Sequence, residues 1–421
     1  MVMPPAFKSR RFVMYWIGHL ISIAGSQMQL WAMYWHLRTI SDQPMAISGI
    51  GLVRFLPVIL LSLIAGVAAD RFDRRKMTIL TQVALGLVAL ILGLKTSLGA
   101  MSLWMLFGLV AIQSIAVAFD VPARQALIPS LVPREDLGSA YSLTSIAGKV
   151  GGILGPGISG IVIAFWGLQW TYWINAISYL AVIVALVAMG DLPSVLEKKS
   201  FGMKKTFVDI REGIEFIKNS PVIFSAMILD FFGSFFSSAN TLLPFVAIDI
   251  LHVGPIQYGW LSASQSIGTL IIGIYLSQKT NLLHQGFLIS ISVVMFGLAT
   301  ILFGLSTSFW LTMLALILIG AFDGLSTIIR NTVRQLLTPD AMRGRMMSIT
   351  QIFFKGGPQL GEMESGFVAQ LLGVPFAIIS GGVGCVIAAL LVVKKFPQLW
   401  NFNRDDGLGV IEPILERQKF S

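Results

Sequence analysis

Apolar positions dominate this chain in unbroken stretches separated by short polar segments. Twelve such stretches cover residues 12–37, 46–69, 77–97, 101–124, 138–164, 170–190, 221–249, 257–277, 285–305, 309–330, 345–370 and 375–393. A helix crosses a hydrocarbon core about 30 Å thick with roughly 20 apolar residues, and each stretch is close to that length or longer. None alternates with the period of two that a barrel strand needs. The pattern predicts an all-α membrane protein of twelve transmembrane helices. The first stretch follows a basic start and is too long for the apolar region of a cleaved signal, so it reads as a retained helix.

The polar segments orient these helices. With Lys8, Arg10 and Arg11 on the cytoplasmic side, the even-numbered connections are cytoplasmic too. They hold Arg71, Arg74, Arg75, Lys76, Arg134, Lys198, Lys199, Lys204, Lys205, Arg211, Lys218, Lys279, Arg334 and Arg343, against Arg38 and Lys95 in the odd ones. Lys- and Arg-rich loops stay in the cytoplasm, which places both termini there.

Composition agrees. Of 421 residues, 55% are hydrophobic and 12% charged, too little polar surface to cover a soluble globule. The net charge of +9 is then a topology signal, and with no basic cluster beside stacking aromatics no nucleic-acid partner is expected. The single Cys385 excludes an intramolecular disulfide, and four His bring no cluster at metal-ligand spacing. No Gly-x-x-x-x-Gly-Lys-Ser/Thr loop is present, so ATP is not the expected energy source and no cofactor is predicted.

An internal repeat divides the chain. "VPREDLGSAYSLTSIAGKVGGILGPGISG" aligns without gaps with "TPDAMRGRMMSITQIFFKGGPQLGEMESG": Gly138 with Gly344, Lys149 with Lys355, Gly155 with Gly361 and Gly160 with Gly366. The predicted organisation is a six-helix half over 1–190, a polar linker over 191–220, a second half over 221–395 and a cytoplasmic tail over 396–421. The linker's "KKSFGMKKTFVDIREGIEFIKNS" is expected to hold a short interfacial helix.

"GVAADRFDRRK", residues 66–76, resembles the signature between the second and third helices of the major facilitator superfamily. "GGILGPGISG" resembles its antiporter motif, in which Gly151, Gly155, Pro156 and Gly160 would permit close packing and a bend. "FDVPARQALIPSLVPREDL", "LLPFVAIDILHVGPIQYGWLSASQSIG" and "IIRNTVRQLLTPDAMRGR" resemble the branch of bacterial siderophore (enterobactin) and macrolide exporters. The resemblance implies two halves rocking around a midplane site in the bacterial inner membrane, working as a monomer. It implies export of a small amphipathic organic molecule in exchange for protons. An uptake symporter or lipid flippase on the same fold stays open. A membrane-embedded enzyme would need a nucleophile–base pair or metal cluster that the spans do not offer. The chain also departs from its relatives: Val110 stands where drug antiporters of the superfamily carry an Arg, and Glu362 replaces a Pro of the motif.

The resemblance assigns a cytoplasmic gate to Asp70, Arg71 and Arg74, joined by Asp120 and Arg124, four apart on one helix in the order that favours a pair. It directs Gln27, Trp31, Gln113, Phe231, Phe235 and Asn240 to the substrate cavity. Lys149 and Lys355 approach the membrane midplane, eleven residues or about 16 Å into their helices, and either touch substrate or serve the scaffold. Asp230 and Asp323 are the candidate proton carriers. Asp230, with no basic residue in "MILDFFGSFF", is the first choice, and Arg330 or Arg54 is expected to pair with Asp323. His19 is expected to be a packed or hydrogen-bonded helix residue.

Overall fold

A computed structural model describes residues 4–190, 203–279, 283–339 and 342–403. Its long elements are α1 (Arg10–Ile40), α2 (Met45–Arg71), α3 (Arg74–Ser97), α4 (Leu103–Leu127), α5 (Leu137–Trp166) and α6 (Leu168–Ala188). They continue with α7 (Met203–Lys218), α8 (Pro221–Ser237), α9 (Pro255–Ser277), α10 (Gln285–Leu305), α11 (Phe309–Leu337), α12 (Arg343–Leu372) and α13 (Val374–Lys395). Local chemistry sets several ends. Ser9, Asp73 and Ser102 cap α1, α3 and α4 by accepting first-turn backbone N–H groups. Single glycines in positive-φ conformations, Gly167 at +93° and Gly373 at +90°, join α5 to α6 and α12 to α13.

Among the described residues, eight helical segments are long and apolar enough to cross a bilayer. Large apolar side chains point outward along them, including Leu80 and Ile177. Trp104 and Trp310, each the second residue of its helix, are 81% and 73% exposed, as aromatic residues at a membrane–water boundary are.

The chain forms two compact units. The first holds Met1–Ser200 with Leu243–Ala263, and the second Phe201–Leu242 with Ser264–Ser421. In the first, α1 packs on α5 and α6, α3 on α4 and α6, and α2 on α4. In the second, α8 packs on α12 and α13, and α10 on α11 and α13. The amphipathic α7 buries Ile217 in a cluster with Ile223, Met227 and Met346.

Two helices differ from the sequence pattern. The stretch 221–249 reads as one span, yet α8 gives way to a 3-10 turn at Ser238–Leu242 and a π turn at Val246–Ile250. Pro244 has no N–H for the helical ladder, and the Ser238 and Thr241 hydroxyls bond back to the carbonyls of Ser234 and Ser238 at 2.9 and 2.7 Å. Arg334 reads as a loop residue, but α11 runs on to Leu337 and carries it within the helix. Hydrophobic stretches mark the lipid-covered part of a helix, not its end.

Candidate functional site

The turn between α2 and α3 is tied down by its cations. Asp73 caps α3, the Arg74 guanidinium donates to the Ala126 carbonyl at the end of α4 (3.2 Å), and Arg75 to the Leu186 carbonyl near the end of α6 (2.7 Å). Helix C-termini carry unsatisfied carbonyls and negative dipole ends, so arginine binds there. The side chains of Asp70, Arg71 and Lys355 lie outside the described residues.

Inside the first unit, Asp120 is fully buried and forms an ion pair with Arg124 one turn on. Its Oδ1 also accepts from Thr81 at 2.8 Å and Gln82 at 2.7 Å. Arg124 reaches α1, where its guanidinium meets His19 Nδ1 at 2.9 Å. Arginine can only donate, so this nitrogen accepts and the ring is the neutral tautomer protonated at Nε2. Tyr15 stacks on His19 at 5.3 Å.

A second polar string lies further along α1. Gln29 donates to Gln113 at 3.1 Å and accepts from Asn175 at 2.7 Å, and Tyr179 links this group to Ser26 at 3.1 Å. Gln113 is thus held by Gln29. Gln27 is half-buried and packs at Gly155 instead, and Trp31 sits beside Tyr258, whose hydroxyl donates to the Trp31 carbonyl at 2.9 Å. Arg54 donates to the Tyr34 hydroxyl at 2.6 Å. Lys149 is exposed. Close helix contacts surround the motif glycines: a Cβ on Gly155 would stand 2.8 Å from the Ala24 carbonyl oxygen, Gly151 abuts Ile23, and Gly160 faces Gly259. At the end of α1, Arg38 makes a two-pronged contact with Asp249 (2.6 and 3.1 Å) and pairs with Asp42. The hydrogen bonds that Arg38 donates to Asp249 and the nearby carboxylate charge push its guanidinium above its ordinary pKa.

The second unit has its own charged centre. Arg330, 8% exposed, pairs with Asp230 at 2.6 Å and bonds Thr327 at 3.1 Å. The sequence reading found no basic residue near Asp230 on its own helix and offered Asp323 either Arg330 or Arg54; the structure sets Arg330 against Asp230 from another helix. Seven residues separate Asp323 from Arg330, about 10 Å along the helix axis, whereas α8 brings Asp230 directly to the guanidinium. Asp323 lines a small void with Asp230, Ser326 and Arg330. A larger cavity of about 270 Å³ lies against Asp230, Arg330, Asn331, Arg334, Thr327 and Thr350. Phe231 and Phe235 stack at 6.1 Å on α8, and Asn240 donates to Gln265 at 3.0 Å.

The two charged centres occupy equivalent positions. The paired repeat glycines approach equivalent backbone: Gly155 faces the Ala24 carbonyl and Gly361 the Phe235 carbonyl. His19 stands five residues before Ala24 and Asp230 five before Phe235, while Arg124 and Arg330 each stand nine before Pro133 and Pro339. Each unit therefore sets an arginine against the same place on its partner helix. The charge balance differs. Arg124 is neutralised on its own helix by Asp120, where the second unit has Ser326, and the carboxylate of the second unit comes from another helix.

A model of the transmembrane secretion effector family, part of the major facilitator superfamily, matches residues 3–413. The chain belongs to that family. Among its relatives, the enterobactin exporter EntS of Citrobacter koseri is 27% identical over 81% of each chain, and that of Escherichia coli O1:K1 is 25% identical over 81% of each. Solved structures with the same fold include a bacterial homologue of the lysosomal transporter Spinster (TM-score 0.72, 16% identity, 95% of this chain and 99% of that one). The nucleoside transporter NupG matches similarly (TM-score 0.71, 14% identity, 92% and 99%). The protein is thus a multi-pass membrane transporter of the major facilitator fold.

Several residues of the charged and polar centres escaped sequence reasoning. Gln29 completes a stripe of Gly18, Ser22 and Gly25 spaced four, three and four residues apart; Gly18 and Gly25 lie against α6, and Gln29 bonds Asn175 there. That period was a readable signal for a buried helix face. Thr81 and Gln82 gave no comparable signal, since only tertiary packing brings them to Asp120.

Proposed function

We propose that this protein is a proton-coupled secondary exporter of a bacterial inner membrane, carrying small amphipathic organic molecules of the siderophore class. In this reading twelve spans form two six-helix halves, over 1–190 and 221–395, with the linker 191–220, the tail 396–421 and both termini in the cytoplasm, and one copy suffices. Asp230 carries the coupling proton. The observation behind this choice is the Asp230–Arg330 pair, which joins two helices next to a cavity. A charge pair within one helix, like Asp120–Arg124, survives any movement of that helix. One between helices is broken by movement or by protonation, so proton occupancy and helix arrangement are linked.

The substrate path in this reading includes Gln113, Trp31, Phe231, Phe235, Asn240, Gln27, Lys149 and Lys355. The gate comprises Asp70, Arg71 and Arg74, with Asp120 and Arg124 holding its helices. The names of the enterobactin exporters support a catecholate siderophore as the first substrate to try. Everted membrane vesicles containing the protein, energised to acidify their lumen, should accumulate labelled enterobactin and release it when an uncoupler collapses the gradient. Accumulation only in right-side-out vesicles would replace export with uptake, and accumulation in neither would reject enterobactin as its cargo.

A further inference from the structure

The cavity of the second unit holds more positive than negative charge. Of its described charged residues, Asp230, Arg330 and Arg334, the first two pair with each other. Arg334 is half-buried, its direct partner is the neutral Asn331 Oδ1 at 2.6 Å, and it senses the Asp230 carboxylate only at longer range. Arg330 and Arg334 are four residues apart on α11, so two guanidinium groups sit one turn from each other on one face. Like charges at this spacing destabilise a helix, and partial burial of both guanidinium groups adds to that cost, so an arrangement of this kind calls for a counter-anion.

We infer that Arg334 anchors an anionic oxygen group of an organic solute, a carboxylate or phenolate, inside this cavity. The fork of a guanidinium matches two oxygens of such a group, and Thr327, Asn331 and Thr350 on the walls supply neutral polar contacts beside it. The apolar wall of Ile223, Ala226 and Met227 suits a ring or short chain attached to the anion. A volume of about 270 Å³ falls just below the roughly 300–1,000 Å³ of small-molecule pockets, which suits a single ring with its anionic group. Arg334 falls beyond the hydrophobic stretch and reads as one more cytoplasmic cation, so spacing and hydropathy do not single it out. The inference names a substrate class within the exporter reading, and binding tests it without transport.

The test compares salicylate with salicylamide, its uncharged isostere, on the purified full-length protein in nanodiscs of zwitterionic phosphatidylcholine. Wild-type protein should bind salicylate at least 10-fold more tightly. Arg334→Gln should abolish the difference, and Arg334→Lys, which keeps the charge, should retain part of it. Equal binding of the two probes by wild type, or an undiminished preference in Arg334→Gln, would overturn the inference. If Arg334→Gln does not fold, the Lys variant and the wild-type comparison still decide. Loss of the wild-type preference in phosphatidylglycerol nanodiscs would assign the site to lipid headgroups and overturn its assignment to a solute. A protein that prefers salicylate but fails to pump leaves this site standing and removes the exporter reading, and one that pumps without the preference does the reverse.

Discussion

Two arginines at equivalent positions carry different consequences because their carboxylates come from different places. Asp120 is fully buried with Arg124, Thr81 and Gln82 around it. Asp120→Asn keeps the shape and removes the charge, leaving Arg124 uncompensated among α1, α3 and α4. A loss of about 3–5 kcal/mol is expected from such a break. Thermal unfolding in detergent measures it, and a wild-type transition would show that Arg124 has another compensating anion. For the second unit, Asp230→Asn should lower the unfolding temperature more than the double variant Asp230→Asn with Arg330→Gln, since the single change strands a guanidinium that is 8% exposed. A double variant no more stable than the single one would show that Arg330 does not depend on Asp230. The first pair was legible in the sequence because both partners share one helix face at a spacing of four. The second was not. Its partners are separated by 100 residues, and spacing along the chain carries no information about which helices become neighbours.

At the level of elements, the glycines of α5 set how closely helices approach. A Cβ on Gly155 would press on Gln27 and on the Ala24 backbone of α1, whereas one on Gly157 meets nothing within 4 Å. Gly155→Val should therefore cost about 1–3 kcal/mol and slow transport, while Gly157→Val on the same helix changes little. Equal transport by the two variants at matched expression would separate the α1–α5 contact from function. Here the sequence repeat pointed to the right residues, since small residues at fixed spacing record a close approach. It did not mark the break in the helix at Ser238–Leu242. There an apolar stretch continued past Pro244, and hydropathy is blind to a missing N–H.

For the whole molecule, membership of the family and the shared fold establish a membrane transporter, and the charged centres supply the reason for proposing how it is driven. The hydrophobic pattern conveyed the helical membrane class because lipid permits few alternatives. Direction, cargo and coupling leave no such pattern, since they depend on a handful of side chains brought together across helices. The central proposal is that a proton on Asp230 drives outward transport. The most direct measurement is a pair of proteoliposome assays with labelled enterobactin, one under an imposed pH gradient and one by exchange without a gradient, on wild type and on Asp230→Asn. Wild type should accumulate substrate under the gradient, and the variant should exchange it at a comparable rate yet fail to accumulate it. Gradient-driven accumulation by Asp230→Asn at the wild-type rate would contradict the account.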